Sequence, residues 1–139
     1  MGYATGAFRL GRATTSLLVR SYPMLNPILS KWMQTLIDYV RSGQPDLTNR
    51  QMALMMLVYL TPGPHTVRGI AKGLGVSKPV VTRALNRLGS LGYLRRQRDE
   101  ADRRNVFVAR TDEGAVFLDE FGRLIADRQR YDGPRSAAA

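Results

Sequence analysis

The chain has no cysteine among its 139 residues and a single histidine, His65. The lack of cysteine excludes disulfides, zinc thiolate sites and thiol redox sensing. Long apolar runs are also missing. None approaches the roughly 18–20 residues that a membrane span needs, and the apolar stretch at 17–19 is too short for a signal-peptide core. We therefore expect a cytoplasmic protein with no membrane partner.

Catalytic constellations are equally scarce. No cysteine or second histidine is present to build a nucleophile and base pair, and the glycines Gly73 and Gly75 lie at a helix end, outside any phosphate-binding loop pattern. His65 follows Pro-Gly-Pro, where a loop residue without a role is expected over a pH sensor or a ligand contact. The chain is predicted not to be an enzyme and to bind no cofactor or metal.

Positive charge is abundant and concentrated in one segment. The formal net charge is +10, and residues 66–110 carry +8 because eleven lysines and arginines stand there against three acids. Residues 1–65 contribute +4 and residues 111–139 contribute −2. Such a basic segment favours a polyanionic partner, with nucleic acid ahead of a membrane surface.

Apolar periodicity predicts a mainly helical chain. Asn26 and Pro27 are typical of an N-cap and a first helical position, and an apolar stripe follows them to residue 40. Thr48 and Gln51 form a capping-box pattern before residues 52–60. Because that run is apolar almost all round, the second helix is expected to lie buried at the centre of the fold.

The next segment predicts a helix-turn-helix. Thr66 is expected to cap a third helix that Gly75 ends, and Ser77 is expected to cap a fourth helix that runs to about Leu91 and stops at Gly92. So short a connection, with a glycine in it, indicates the sharp crossing of two helices in this motif.

A hairpin and a last helix complete the predicted fold. Residues 94–98 and 105–110 read as two strands around a charged loop, and Thr111 is expected to cap the helix that follows. The fold class is therefore predicted to be mainly α with a small β-hairpin (α+β), in the form of a winged helix-turn-helix.

The fourth helix has two chemically different sides when it is placed on a wheel at about 100° per residue. One side is apolar and the other carries no carboxylate. Arginine can bond guanine, asparagine can bond adenine, and threonine can contact a thymine methyl group or a phosphate. Lys72, Arg95 and Arg96 are expected to neutralise phosphates nearby. The alternative is an ordinary solvated helix surface. The predicted DNA-binding residues are Thr66, Arg68, Ser77, Lys78, Pro79, Thr82, Arg83, Asn86, Arg87, Arg103 and Arg104.

The loop of the hairpin mixes acids with arginines. Asp102 is predicted to pair with the guanidinium of Arg104 through two hydrogen bonds and to set its direction. An arginine held in this way could enter a narrow minor groove, where the negative potential is strongest. The alternative is a solvated charge cluster without a partner.

Three motifs in this order resemble the MarR family of bacterial transcriptional regulators. They are Gly92-Tyr93-Leu94 at a helix end, Asp102-Arg103-Arg104 in the wing, and Thr111-Asp112-Glu113-Gly114 at the start of the last helix. The resemblance covers about residues 27–130. Arg110 departs from it, since the family pattern usually has leucine there, and the end of the second strand is expected to pack differently.

The resemblance implies a homodimer with two DNA-reading lobes and with dimerisation helices at the two ends of the domain. The fourth helix would be the recognition helix in the major groove. Arg104 would be the residue of the wing in the minor groove, paired with Asp102. The family also implies a possible small-molecule effector between the dimer helices and the DNA lobe, although no residue of this sequence identifies one.

The expected organisation has three parts. Residues 1–22 form an N-terminal arm or short helix, residues 23–131 form the winged helix-turn-helix domain with its DNA-binding lobe at 46–111, and residues 132–139 form a flexible tail. The stripe around Trp32 fits an intra-chain core or a dimer seam. The predicted dimerisation residues are Leu29, Trp32, Met33, Leu36, Phe117, Phe121 and Leu124.

The sequence thus predicts a sequence-specific, double-stranded-DNA-binding transcriptional regulator, a repressor that acts as a homodimer on a pseudo-palindromic operator. One alternative is a winged-helix module for protein interaction, because a fold does not fix a function. The exposed side of the fourth helix has no aromatic residue, which favours DNA over a protein interface. A second alternative is a nucleoid-type binder with little sequence preference.

Overall fold

A computed structural model describes residues 26–131, with side chains described through residue 127. The arm predicted at 1–22 and the tail predicted at 132–139 lie outside these residues. The described chain confirms the predicted fold class, mainly α with a small antiparallel β element. In chain order it contains α1 (Pro27–Arg41), α2 (Asn49–Leu60), β1 (His65–Thr66), α3 (Val67–Leu74), α4 (Lys78–Ser90), β2 (Leu94–Arg98), β3 (Val106–Arg110) and α5 (Asp112–Tyr131).

The first two helices begin as the capping patterns predict. Asn26 Oδ1 accepts a hydrogen bond from the backbone nitrogen of Ile28 at 3.0 Å. Thr48 Oγ1 accepts one from the backbone nitrogen of Gln51 at 3.2 Å, and Gln51 Oε1 accepts one from the nitrogen of Thr48 at 2.9 Å. These bonds satisfy amides that have no partner inside the helix, which is why the two starts could be placed from sequence.

Helices α3 and α4 form the predicted helix-turn-helix. Thr66 Oγ1 accepts a hydrogen bond from the nitrogen of Gly69 at 3.0 Å, and Gly75 ends α3 in the left-handed region at a φ of +64°. Ser77 stands at the N-cap of α4, but its side chain makes no capping bond, contrary to the prediction. Its backbone carbonyl accepts from the nitrogen of Val80 at 3.1 Å.

The apolar side of α4 is buried, and this burial fixes which side of the helix faces outward. Burying four apolar side chains stabilises the docking of α4 by several kcal/mol, at about 25 cal/mol per Å² of apolar surface. The buried residues of α4 are Val81, Ala84, Leu85 and Leu88.

The three strands form one antiparallel sheet in the order β1-β3-β2. In the hairpin, Leu94 lies opposite Arg110 and Arg98 lies opposite Val106. The strand β1 is absent from the sequence prediction, in which His65 is a loop residue, because two residues are too few to show a period. In the structure His65 pairs with Val108, and its Nε2 lies 3.2 Å from the carbonyl oxygen of Thr61.

The core centres on α2, as predicted. Leu54, Met55 and Val58 have no exposed surface, although Leu60 at the end of the helix is 73% exposed. Helix α5 packs against α1 and closes the core on one side. The buried apolar residues of the other elements are Tyr39, Leu47, Ile70, Ala71, Val81, Ala84, Leu85, Leu88, Tyr93, Leu94, Val108, Phe117 and Phe121.

Two members of the predicted dimerisation set, Phe117 and Phe121, are buried within the chain. They are only 3% and 4% exposed. The ring of Tyr39 lies 6.2 Å from the ring of Phe117 and 5.4 Å from that of Phe121, and Phe117 also stacks on Tyr93 at 4.6 Å. Edge-to-face and offset rings of this kind stabilise a core beyond the area that they bury. Both phenylalanines therefore hold α5 against the core of the single chain, and little of their surface remains exposed.

The hydroxyl of Tyr59 joins α2 to the base of the wing and to the start of α5. It donates to the carbonyl of Tyr93 at 2.8 Å and accepts from the backbone nitrogen of Thr111 at 2.8 Å. Thr111 Oγ1 accepts from the nitrogen of Gly114 at 3.1 Å and donates to the carbonyl of Gly92 at 2.6 Å, so it caps α5 as predicted. This hub fixes the wing and α5 relative to the core.

Arg110 explains the departure from the family pattern. Its Nε donates to the carbonyl of Val58 at 2.9 Å and its Nη2 donates to the carbonyl of Thr61 at 3.0 Å. The guanidinium also lies 5.9 Å from the centre of the Tyr59 ring. Carbonyls at a helix end lack intrahelical donors and carry partial negative charge. Arg110 therefore ties the end of β3 to the end of α2 where leucine could only pack.

Candidate nucleic-acid interface

The outward side of α4 carries the polar residues that the helical wheel predicts. Helix α4 contains no acidic residue anywhere along its length. Thr82 is half-buried, and the other six residues of this side are exposed. With the apolar side anchored in the core, this side is available to a partner. Its residues are Lys78, Pro79, Thr82, Arg83, Asn86, Arg87 and Ser90.

A basic groove of about 510 Å³ runs between α3, α4 and the wing. Five of the nine side chains that line it are cationic and none is acidic. Five cations around one groove repel one another unless anions enter it, which favours binding of a phosphate backbone. The groove brings together residues from α3, α4, β2, the loop of the wing and β3: Val67, Arg68, Lys78, Thr82, Arg96, Arg98, Arg104, Asn105 and Val106.

Two polar residues that line this groove, Arg98 and Asn105, are missing from the predicted contacts. Arg98 ends β2 and lies opposite Val106 in the sheet, so the hairpin register brings it to the groove. The sequence did contain a signal for Arg98, since it is the third arginine in the basic run at 95–98. The predicted residues Thr66 and Arg103 do not line the groove; Thr66 is half-buried and caps α3, and Arg103 is exposed at the wing tip.

A second recess lies at the opposite side of α4. It has a volume of about 210 Å³ and contains Arg50 from the first turn of α2 together with Arg83 from α4. Arg50 is also missing from the predicted contacts, because nothing in the sequence shows that the first turn of α2 lies beside α4. Cationic side chains therefore flank α4 on both sides, as two strands of a duplex would require.

The turn of the wing corrects one prediction. Asp102 does not pair with the guanidinium of Arg104; its Oδ1 accepts from the backbone nitrogen of Arg104 at 3.0 Å. Asp99 acts in the same way on the nitrogen of Ala101 at 2.9 Å. Short carboxylate side chains readily close such local turns. Across the described part of the chain the guanidinium of Arg104 contacts no carboxylate, and it is exposed at the groove.

A hydrogen bond between α4 and β2 is a further feature of this surface. Nη2 of Arg96 donates to Oδ1 of Asn86 at 2.7 Å. Both side chains are exposed. A direct hydrogen bond therefore joins the predicted reader Asn86 to the predicted phosphate contact Arg96.

A second exposed surface is apolar and lies on α1. Leu29, Trp32, Met33 and Leu36, which are predicted dimerisation residues, are between 41% and 57% exposed. Leu124, also in that predicted set, is half-buried against the core. We call the exposed set the α1 surface. It lines a hollow of about 520 Å³ formed by Leu29, Trp32, Met33, Leu36, Ile37, Val40 and Arg41.

Two other features are absent from residues 26–131. No group of three or more histidine, cysteine, aspartate or glutamate side chains is placed to hold a metal ion. No helix in this range has the length and apolar character that crossing a bilayer requires.

Known proteins similar to this chain are transcriptional regulators. A family model described as the MarR family matches residues 46–105. The transcriptional regulator HosA of Escherichia coli O157:H7 is 35% identical over an alignment of 97 residues that covers 61% of this chain and 71% of that protein.

Two solved structures share the fold. The YusO protein from Bacillus subtilis matches with a TM-score of 0.62 at 22% identity, over 86% of this chain and 79% of that chain. The S. aureus MepR–DNA complex matches with a TM-score of 0.61 at 22% identity, over 83% of this chain and 87% of that chain. With its winged helix-turn-helix, its family match and its identity to HosA, this chain belongs to the MarR family of transcriptional regulators.

Proposed function

We propose that the protein is a sequence-specific repressor that binds double-stranded DNA as a homodimer in the cytoplasm. The observation that carries this proposal is the position of the basic groove beside the acid-free outward side of α4. The major groove of B-DNA admits one α-helix, whose polar side chains then meet the base edges. The S. aureus MepR–DNA complex supports the proposal, because it shows a protein of the same fold bound to DNA.

The two kinds of contact come from different residues. Thr82, Arg83 and Asn86 on α4 contact base edges, and the groove cations Arg68, Lys78, Arg96 and Arg98 bind phosphates. Arg104, at the wing, enters the adjoining minor groove. Base contacts give specificity, whereas phosphate contacts position the protein and make its affinity fall with salt.

The α1 surface supports the homodimer. Several large apolar side chains exposed side by side on one helix are unusual for a monomer and typical of an association site. A twofold dimer through α1 presents two copies of α4 to one face of the DNA. The operator is then an imperfect palindrome with half-sites about 10 bp apart.

Selection of bound fragments from a random pool of double-stranded DNA tests the proposal. We expect enrichment of an imperfect palindrome, with an affinity that falls steeply between about 50 and 200 mM salt. Binding without enrichment would support the nucleoid-type alternative. No binding at low salt would support a protein-interaction module.

A small-molecule effector is part of the proposal. A recess of about 190 Å³ lies between α1 and α5, and Gln44 Nε2 donates to Glu120 Oε2 across its rim at 2.6 Å. Pockets for drug-sized ligands usually have volumes of about 300–1,000 Å³, so an effector here would be small. Release of DNA by small aromatic acids is the test. Leu124→Phe, which fills the recess, should abolish that release.

A further inference from the structure

The bond between Asn86 and Arg96 fixes the orientation of one amide. Nη2 of Arg96 lies 2.7 Å from Oδ1 of Asn86. A guanidinium carries donors and no acceptor, so the amide atom that faces it has to be the oxygen. The nitrogen Nδ2 then lies on the other arm of the planar amide, directed away from Arg96.

The position of Asn86 on α4 makes this orientation matter. At about 100° per residue, Asn86 lies within about 20° of Pro79, at the centre of the outward side. Thr82 and Arg96 line the same basic groove, and Thr82 lies about 60° around the helix from that centre. Thr82 therefore marks the side of α4 that faces the basic groove. The bond to Arg96 turns Oδ1 of Asn86 toward that side. Nδ2 has no hydrogen-bond partner in the described residues.

The two atoms of an asparagine amide are both needed to read adenine. Nδ2 donates to N7 of the base, and Oδ1 accepts from its N6 amino group. When Oδ1 is turned to Arg96, only a donor faces the groove of the DNA. Guanine matches a donor best, since N7 and O6 are two adjacent acceptors on its major-groove edge.

We infer that Arg96 is a positioning residue that makes Asn86 a reader of guanine in place of adenine. The inference rests on the proposed sequence-specific binding to DNA. Arg96 lies within β2, opposite Val108 in the sheet, so its backbone is held by strand pairing. Its remaining donors stay free for a phosphate. The backbone of the DNA and the amide of Asn86 are then linked through one guanidinium.

The test is selection from a random pool of double-stranded DNA with the wild type and three variants. Asn86→Ala identifies the base pair that Asn86 contacts, because preference is lost only there. Arg96→Met removes the guanidinium and its bond to Oδ1 but keeps an unbranched apolar stem. Arg98→Met is the matched control, since it removes an equal charge from the same groove and has no bond to Asn86. Thermal unfolding of each variant checks that it folds.

We expect the wild type to select G·C at the position that Asn86→Ala identifies. Arg96→Met should change the adenine-to-guanine ratio there by about fivefold or more, the lower end of the discrimination that a paired base contact gives. Arg98→Met should weaken binding and keep G·C.

Selection of A·T by the wild type at that position would overturn the inference. An unchanged preference in Arg96→Met would also overturn it. An Asn86→Ala variant with unchanged preference at every position would overturn both the inference and the proposed base contact of Asn86. In each of these cases sequence-specific binding of DNA by the protein would stand. A wild type that enriches no motif would refute sequence-specific binding itself and the inference with it.

Discussion

The hydroxyl of Tyr59 lies 2.8 Å from the backbone nitrogen of Thr111 and accepts its hydrogen bond. The same hydroxyl donates to the carbonyl of Tyr93. Tyr59→Phe leaves these partly buried groups without a partner, which typically costs about 1–3 kcal/mol. We expect the free energy of unfolding to fall by that amount in urea denaturation. Ser90→Ala, which removes an exposed hydroxyl, should change it by less than about 0.5 kcal/mol. Equal small effects of the two variants would show that the hub does not stabilise the fold.

Two glycines of α5 provide a matched pair. A Cβ at Gly114 would clash with the Tyr59 hydroxyl and the Tyr93 carbonyl, whereas a Cβ at Gly122 meets none of the described residues within 4 Å. Gly114→Ala should destabilise the protein by more than about 3 kcal/mol, because overpacking here strikes backbone. Gly122→Ala should stabilise it by about 0.5–1 kcal/mol through helix propensity. Thermal unfolding of both variants checks this prediction, which fails if the two shifts have the same sign.

The turn of the wing predicts different effects for two variants. Arg104→Ala should weaken DNA binding mainly at operators with AT-rich flanks, where the minor groove is narrow. Asp102→Asn keeps an oxygen that can accept from the nitrogen of Arg104, so binding should change little. Asp102→Ala loses that bond and should resemble a mild form of Arg104→Ala. Titration of labelled operators at fixed salt measures all three. Equal affinity of Arg104→Ala for AT-rich and GC-rich flanks would exclude the minor-groove role.

The proposed dimer predicts that a charge on the α1 surface gives monomers. Met33→Asp places a carboxylate in the middle of that surface, where it loses water on association. Sedimentation equilibrium should show a dimer for the wild type and a monomer for this variant. Leu60→Asp, at the exposed end of α2, should leave the dimer intact. A dimeric Met33→Asp would move the interface elsewhere.

Stability should fall at alkaline pH because of two tyrosines. Burial, with smaller effects from Tyr93 and Asp46, raises the pKa of Tyr39. Burial, and then Glu120, raises the pKa of Tyr93. The fold therefore favours the neutral phenols. Their contribution is complete below the unfolded pKa of about 10 and is lost as pH rises from there through the folded pKa. Urea midpoints from pH 8 to 11 should fall less steeply for Tyr39→Phe. Parallel curves would contradict this assignment.

The predictability of the fold depended on how local its signals are. The N-caps Asn26, Thr48 and Thr66 each bond a backbone nitrogen no more than three residues further along the chain, so a short stretch of sequence predicts them. The glycines that end α3 and α4 lie at the predicted positions. By contrast, β1 is a strand only through its pairing with β3. Its two residues are too few to show the alternation of apolar and polar residues that predicts a strand.

The site shows the same division. The outward side of α4 follows from helical geometry and could be predicted. The bond between Asn86 and Arg96 depends on the distance between α4 and β2, which no spacing in the sequence encodes. Asp102 could bond either the guanidinium or the backbone nitrogen of Arg104, and in the structure it bonds the backbone nitrogen.

The stripe on α1 was ambiguous for a different reason. Its apolar residues span more than one side of the helix. Tyr39 packs inward against α5, while Met33 and Leu36 remain exposed. Periodicity alone cannot assign the sides when both are apolar.

Arg110 has a consequence for how motion can pass through the molecule. Its guanidinium holds the last carbonyls of α2, while its backbone belongs to the strand at the base of the wing. The base of the hairpin and the end of α2 are therefore joined by one side chain, and the Tyr59 hydroxyl joins α2 to the start of α5. We expect a displacement of the wing to be transmitted through these bonds to α5, and a shift of α5 to be transmitted to the wing.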